Sequence, residues 1–105
     1  MKKFSEIEYV RPDMEAEREE VRAYTKALKE AKSYEELRGL FMEEKTREDA
    51  WATMAEVAQV RYTVDTRDSF YEGEVQFWNE TIPAIHLLIQ KAEKVILESP
   101  FIKEF

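Results

Sequence analysis

The sequence has no cysteine, one histidine, two glycines and three prolines in 105 residues, and each scarcity removes a class of protein. Without cysteine there is no disulfide scaffold, no thiolate metal site and no cysteine nucleophile. One histidine cannot build a multi-histidine metal centre, and a serine triad would have to draw all its base chemistry from His86. Gly39 and Gly73 stand alone, so no glycine cluster can cradle a phosphate. With turn-formers limited to those glycines and Pro12, Pro83 and Pro100, a many-stranded sandwich or barrel is excluded and few, long elements are expected. The longest uncharged apolar run, Ile82 to Ile89, is broken by Pro83 and His86 and falls far short of the roughly 20 residues that span a bilayer. The opening Met1-Lys2-Lys3-Phe4-Ser5-Glu6 has no apolar stretch after its lysines, so no secretory signal is visible and a cytoplasmic protein is expected.

What is present is charge and apolar surface in balance, 37% and 44% of residues, with a net charge of -7. This composition belongs to an ordered, water-soluble chain of one domain. Acidic residues exceed basic ones in both halves, which leaves no basic face for a nucleic acid backbone.

The apolar spacing predicts an all-α fold. Residues 1–12 lack helical period, and Ile7, Tyr9 and Val10 before Arg11-Pro12 read as an extended N-terminal arm, since the residue before proline avoids the α region. A helical domain over residues 13–105 follows. Its first helix is expected from Asp13, a capping residue, to Lys32, with Glu15 and Glu17 at the positive end and Lys26, Lys29 and Lys32 at the negative end. Ser33-Tyr34-Glu35-Glu36 matches a capping box and opens a second helix reaching Val64. Its apolar phase shifts near Lys45 to Asp49, which predicts a bend or break there. A third helix runs from about Ser69, capped by Thr66 or Asp68, to Glu98 before Pro100. Its apolar residues keep one phase through Pro83, so that proline should kink the helix without ending it. The expected architecture is an antiparallel bundle of three long helices, or four if the middle one breaks.

No side chains assemble a recognisable catalytic, cofactor or metal site. His86 lies in no His-Glu-x-x-His motif, and Pro83 occupies the place of the glutamate in a Glu-x-x-His pair. Three charges depart from simple patterning. Arg61 and Asp65 fall in the Trp51, Met54, Ala58 stripe, and Glu74 falls among Phe70, Phe77 and Trp78. Since a buried charge needs a partner, Arg61 is expected to pair with Glu74 or Asp65 across two helices and fix their register. The alternative is that they face a cleft completed by a ligand or another domain. The acidic stretches Glu15 to Glu20 and Glu43-Glu44 mix with basic residues at helical spacing and read as solvated faces. The third helix carries an apolar arc of about 160°, with Leu87 and Leu97 outside it. That arc suits either an inner helix or a surface meant for more protein, whether a second copy or further polypeptide.

The run Phe4-Ser5-Glu6-Ile7-Glu8-Tyr9-Val10-Arg11-Pro12-Asp13, then Thr53-Met54-Ala55, and above all Arg61-Tyr62-Thr63-Val64-Asp65-Thr66-Arg67-Asp68-Ser69-Phe70-Tyr71 with Gly73-Glu74, resemble the amino-terminal helical region of oligoendopeptidase F-type zinc peptidases. Phe77, Glu80, Pro83 and Leu97-Glu98-Ser99-Pro100-Phe101 continue the likeness. Tyr62 and Gly73 depart from the histidine and alanine usual there. The resemblance implies a metallopeptidase of the thimet-oligopeptidase clan, whose zinc and catalytic glutamate sit in a much later His-Glu-x-x-His helix. None of those residues maps onto this chain. It therefore implies an amino-terminal, non-catalytic piece whose partners are the catalytic domain of the same polypeptide and, through it, oligopeptide substrate. A free-standing module that self-associates through its third helix is the alternative reading.

Overall fold

The computed structural model describes residues 7–105, and the expected arm lies partly outside them. Residues 7–12 are not helical. Three helices follow, α1 at Met14–Glu30, α2 at Tyr34–Val64 and α3 at Ser69–Leu97, with a short 3-10 turn at Ile102–Glu104. No strand occurs among the described residues. The fold is an all-α bundle.

Each helix begins where a side chain can hold an orphan backbone N–H. Asp13 accepts from the N–H of Ala16 and Ser33 from that of Glu36, while Asp68 accepts from those of Phe70 and Tyr71. Glu36 reaches back, accepting from the N–H of Lys32 at 3.2 Å, one residue before the position of a standard capping box. α3 continues through Pro83.

The core is built on a spacing of seven. Met14, Val21 and Leu28 are buried on α1, Leu37, Glu44, Trp51 and Ala58 on α2, and Trp78, Ile85 and Ala92 on α3. A seven-residue repeat keeps one seam of each helix facing its neighbours, as in left-handed coiled coils. Met14 and Val21 cluster with Trp51, Ala58, Trp78 and Ile85, whereas Leu28 clusters with Leu37, Ala92 and Ile96. The start of α1 thus meets the end of α2 and the start of α3, so successive helices run antiparallel. α3 packs on both others.

α2 does not break near Lys45 to Asp49. The shift of apolar phase has another cause: Glu44 occupies the buried seam position between Leu37 and Trp51, so the helix continues while its apolar pattern skips a beat. The same residue marks the gap between the two apolar clusters.

Gly39 and Gly73 lie inside α2 and α3, and a Cβ at either would meet nothing within 4 Å. Glycine in a helix interior costs about 0.5 to 1 kcal/mol against alanine. Gly39→Ala and Gly73→Ala should therefore each raise stability by roughly that amount in urea denaturation.

Candidate functional site

Two carboxylates, Glu74 and Glu44, are the buried charged side chains among the described residues, 7% and 2% exposed. A carboxylate taken out of water must be hydrogen-bonded, neutralised or left at a cost. The two glutamates meet different fates.

Glu74, on the seam of α3, is fully partnered by the segment before α1. Arg11 grips it bidentately, Nε donating to Oε1 at 3.0 Å and Nη2 to Oε2, and Tyr9 Oη donates to Oε1 at 2.6 Å. Tyr9 in turn accepts from Trp78 Nε1 at 3.0 Å. Its ring meets Phe70 and Tyr71 edge-on at 6.1 and 5.7 Å, and the Arg11 guanidinium lies 4.0 Å from the centre of the Phe77 ring. The hydrogen bonds from Arg11 hold the Glu74 carboxyl below its usual range against the opposing effect of burial. Burial, then the hydrogen bond to Glu74, pushes the Tyr9 phenol up to about 12, so Tyr9 stays a donor at neutral pH.

The partner of Glu74 is therefore Arg11, where the helical pattern pointed to Arg61. Arg61, half-buried near the end of α2, donates to Tyr71 Oη at 2.9 Å and to the carbonyl of Ile7. It holds the same segment by its backbone. Asp65 takes no part in this knot. It is exposed at the C-cap of α2, where its Oδ1 accepts from the backbone N–H and Nε of Arg67. The helical wheel put Arg61 and Asp65 on one stripe, but Arg61 is half-buried while Asp65 is exposed just past the helix, and the wheel could not see the arm, whose residues have no helical period. The one available signal was chemical: Tyr9 and Arg11 are a donor pair in an otherwise short apolar segment.

Glu44 on α2 has no hydrogen-bond partner for either carboxylate oxygen. It lines a cavity of about 280 Å³ with Glu20, Ala23, Tyr24, Ala27, Leu40, Glu43 and Arg47. Arg47 divides itself among three carboxylates, 3.2 Å from Glu17, 3.7 Å from Glu20 and 3.5 Å from Glu44, and hydrogen-bonds only the first. Burial, outweighing the attraction of Arg47, pushes the Glu44 carboxyl up to about 7. Sequence reading missed Glu44 because Glu43-Glu44 looks like a solvated acidic pair. Its seven-residue spacing from Leu37 and Trp51 was the signal.

Among the described residues no three His, Asp or Glu side chains are placed to hold a metal ion. His86 is exposed on α3. Nor is any described helix long and apolar enough to cross a membrane.

The two glutamates predict opposite pH behaviour. Removing Arg11 leaves Glu74 buried with Tyr9 alone, so Arg11→Leu should destabilise by about 1 to 3 kcal/mol at pH 7, discounted because the guanidinium is half exposed. Arg61→Leu strands no charge and should cost about 1 kcal/mol. Because Arg11 lowers the Glu74 carboxyl, the Arg11 contribution is present above the ordinary carboxylate range and fades as pH falls below it. Glu44 has the reverse sign, since its folded form holds the proton more tightly. Its penalty is absent below the ordinary value of 4.5 and grows until pH exceeds about 7. Glu44→Leu should therefore raise stability by about 1 to 4 kcal/mol at pH 8 and lose the pH-dependent part of that gain towards pH 4. Thermal melts across this range read both effects.

No curated protein and no solved structure matches the chain. A family model does: that of the Peptidase M3 N-terminal domain matches residues 4–105, nearly the whole sequence, including the arm segment with Tyr9 and Arg11, the helix end with Arg61 and the start of α3 with Glu74. The chain belongs to the Peptidase M3 N-terminal domain family.

Proposed function

We propose that this chain serves as the non-catalytic N-terminal helical domain of a zinc metallo-oligoendopeptidase, packing on the catalytic domain and shaping the access of short peptides. The match of the family model over residues 4–105 carries this reading. The apolar side chains left in solvent support the packing role: Leu87 is 63% and Leu97 69% exposed, with Phe70, Ile82 and Val64 also outward. A bundle that covers its seam but not these residues suits a further polypeptide surface. Zinc and the catalytic glutamate would belong to that other part of the enzyme, and a cytoplasmic location is part of the same proposal.

The test compares cleavage of a fluorogenic oligopeptide, with added zinc, by the 105-residue chain and by a protein extended through the sequence that follows it in its genome. Turnover only by the extended protein is expected. Zinc-dependent turnover by the 105 residues alone would overturn the non-catalytic reading.

The same exposed leucines favour a second reading, self-association through α3. Light scattering separates the two: a monomer at tens of micromolar agrees with docking on a catalytic domain, and a dimer that Leu87→Lys dissolves supports self-association.

A further inference from the structure

The α1/α2 cavity is a site that the packing of the bundle does not account for. It is lined by Ala23, Ala27, Leu40 and Tyr24 and by the charged Glu20, Glu43, Glu44 and Arg47. One of these carboxylates, Glu44, is 98% buried and has no hydrogen bond on either oxygen. The balance of charge is negative: Arg47 is spread over Glu17, Glu20 and Glu44, and Glu43 adds a further carboxylate.

We propose that this cavity binds an alkylammonium group, the lysine side chain of a polypeptide segment laid across α1 and α2. A lysine stem suits the apolar lining residues Ala27 and Leu40, since its four methylenes bury readily while the head seeks charge. Its ammonium carries three donors spread about a compact centre, which serve carboxylates arriving from two helices. A guanidinium, planar and forked, matches one carboxylate in plane, whereas the carboxylates here come from two helices. Entry requires Arg47 to move off Glu44 onto Glu17 and Glu20, which it already contacts. A metal ion is the poorer occupant, because no three His, Asp or Glu side chains among the described residues are placed to hold one. The site belongs to this chain alone and stands whatever the tethered peptidase does.

The experiment titrates the 105-residue protein with the capped pentapeptide acetyl-Ala-Ala-Lys-Ala-Ala-amide and with its norleucine and arginine counterparts, following the methyl NMR signals of Ala23, Ala27 and Leu40. Saturable shifts with the lysine peptide and none with norleucine are expected. Glu44→Gln should weaken binding about thirtyfold or more, as loss of one partner of a buried charge pair does. Glu35→Gln, the same change of net charge at an exposed position, should leave it intact. Because Glu44→Gln removes a buried charge, it should fold at least as well as the parent, so lost binding is not lost structure. Equal shifts with norleucine, an unchanged response in Glu44→Gln, or no saturable shift at all would overturn the proposal and leave Glu44 solvated by water only. Tighter binding of the arginine peptide would overturn the choice of lysine.

Discussion

Seven-residue spacing on three helices is the constraint from which the rest of this structure descends. With 3.6 residues per turn, a residue seven positions on returns to within about 20° of the same side of a straight helix, and Met14, Val21 and Leu28 occupy that line on α1 as Trp78, Ile85 and Ala92 do on α3. The seam is narrow. It joins three helices with tight connections, but it covers only part of α3, whose apolar arc is wider than two neighbours can shield. Phe70 and Ile82 on that arc stay in solvent, and Leu87 and Leu97, outside it, are exposed as well. That uncovered part is the geometric consequence of a narrow seam on a helix with a wide apolar arc.

The same seam forces a decision on any polar side chain placed in it, and the two glutamates show both outcomes. Glu74 is near the start of α3, where the chain before α1 can reach it, and it is answered by two charge-assisted hydrogen bonds from Arg11 and one from Tyr9. That carboxylate explains why a segment without secondary structure of its own lies against the bundle: Arg11 and Tyr9 bind the side chain, and Arg61 binds the backbone at Ile7. Glu44 sits at mid-helix, where a neighbour on α1 faces it with alanines and Tyr24 and where Arg47 is already committed to Glu17. Identical side chains thus shift in opposite directions, one below and one above the usual carboxylate range, because hydrogen bonds dominate the first and desolvation the second.

Much of this was legible before any coordinates. The helix boundaries followed from caps and charge placement: Asp13, Ser33 and Asp68 all cap as their residue types require, and α2 and α3 begin at Tyr34 and Ser69 as the spacing predicted. What pattern reading misjudged came from treating apolar periodicity as if only apolar residues could occupy a seam. The phase shift near Lys45 suggested a break, whereas a buried glutamate held the seam position and left the helix intact. The stripe containing Glu74 correctly announced a buried charge, yet its partner came from a segment with no period to read. Arg61 donates to a phenol and a backbone carbonyl and not to the expected carboxylate, since a guanidinium satisfies those acceptors as readily.

Glu44 also ties the stability of the domain to its surroundings. A folded domain has a margin of only about 5 to 15 kcal/mol, and a buried carboxylate without a hydrogen bond takes a share of it at neutral pH. A group that delivers positive charge to that cavity acts twice, forming its own contact and relieving the penalty that the ionised carboxylate imposes on the folded chain. By linkage, a ligand that binds only the folded form stabilises it by an amount that grows with its concentration relative to its dissociation constant. A covalently attached polypeptide presents its side chains at the high effective concentration of an intramolecular contact. Folding of the domain and docking of a cationic partner are then one equilibrium, with Glu44 as the residue through which the two are coupled.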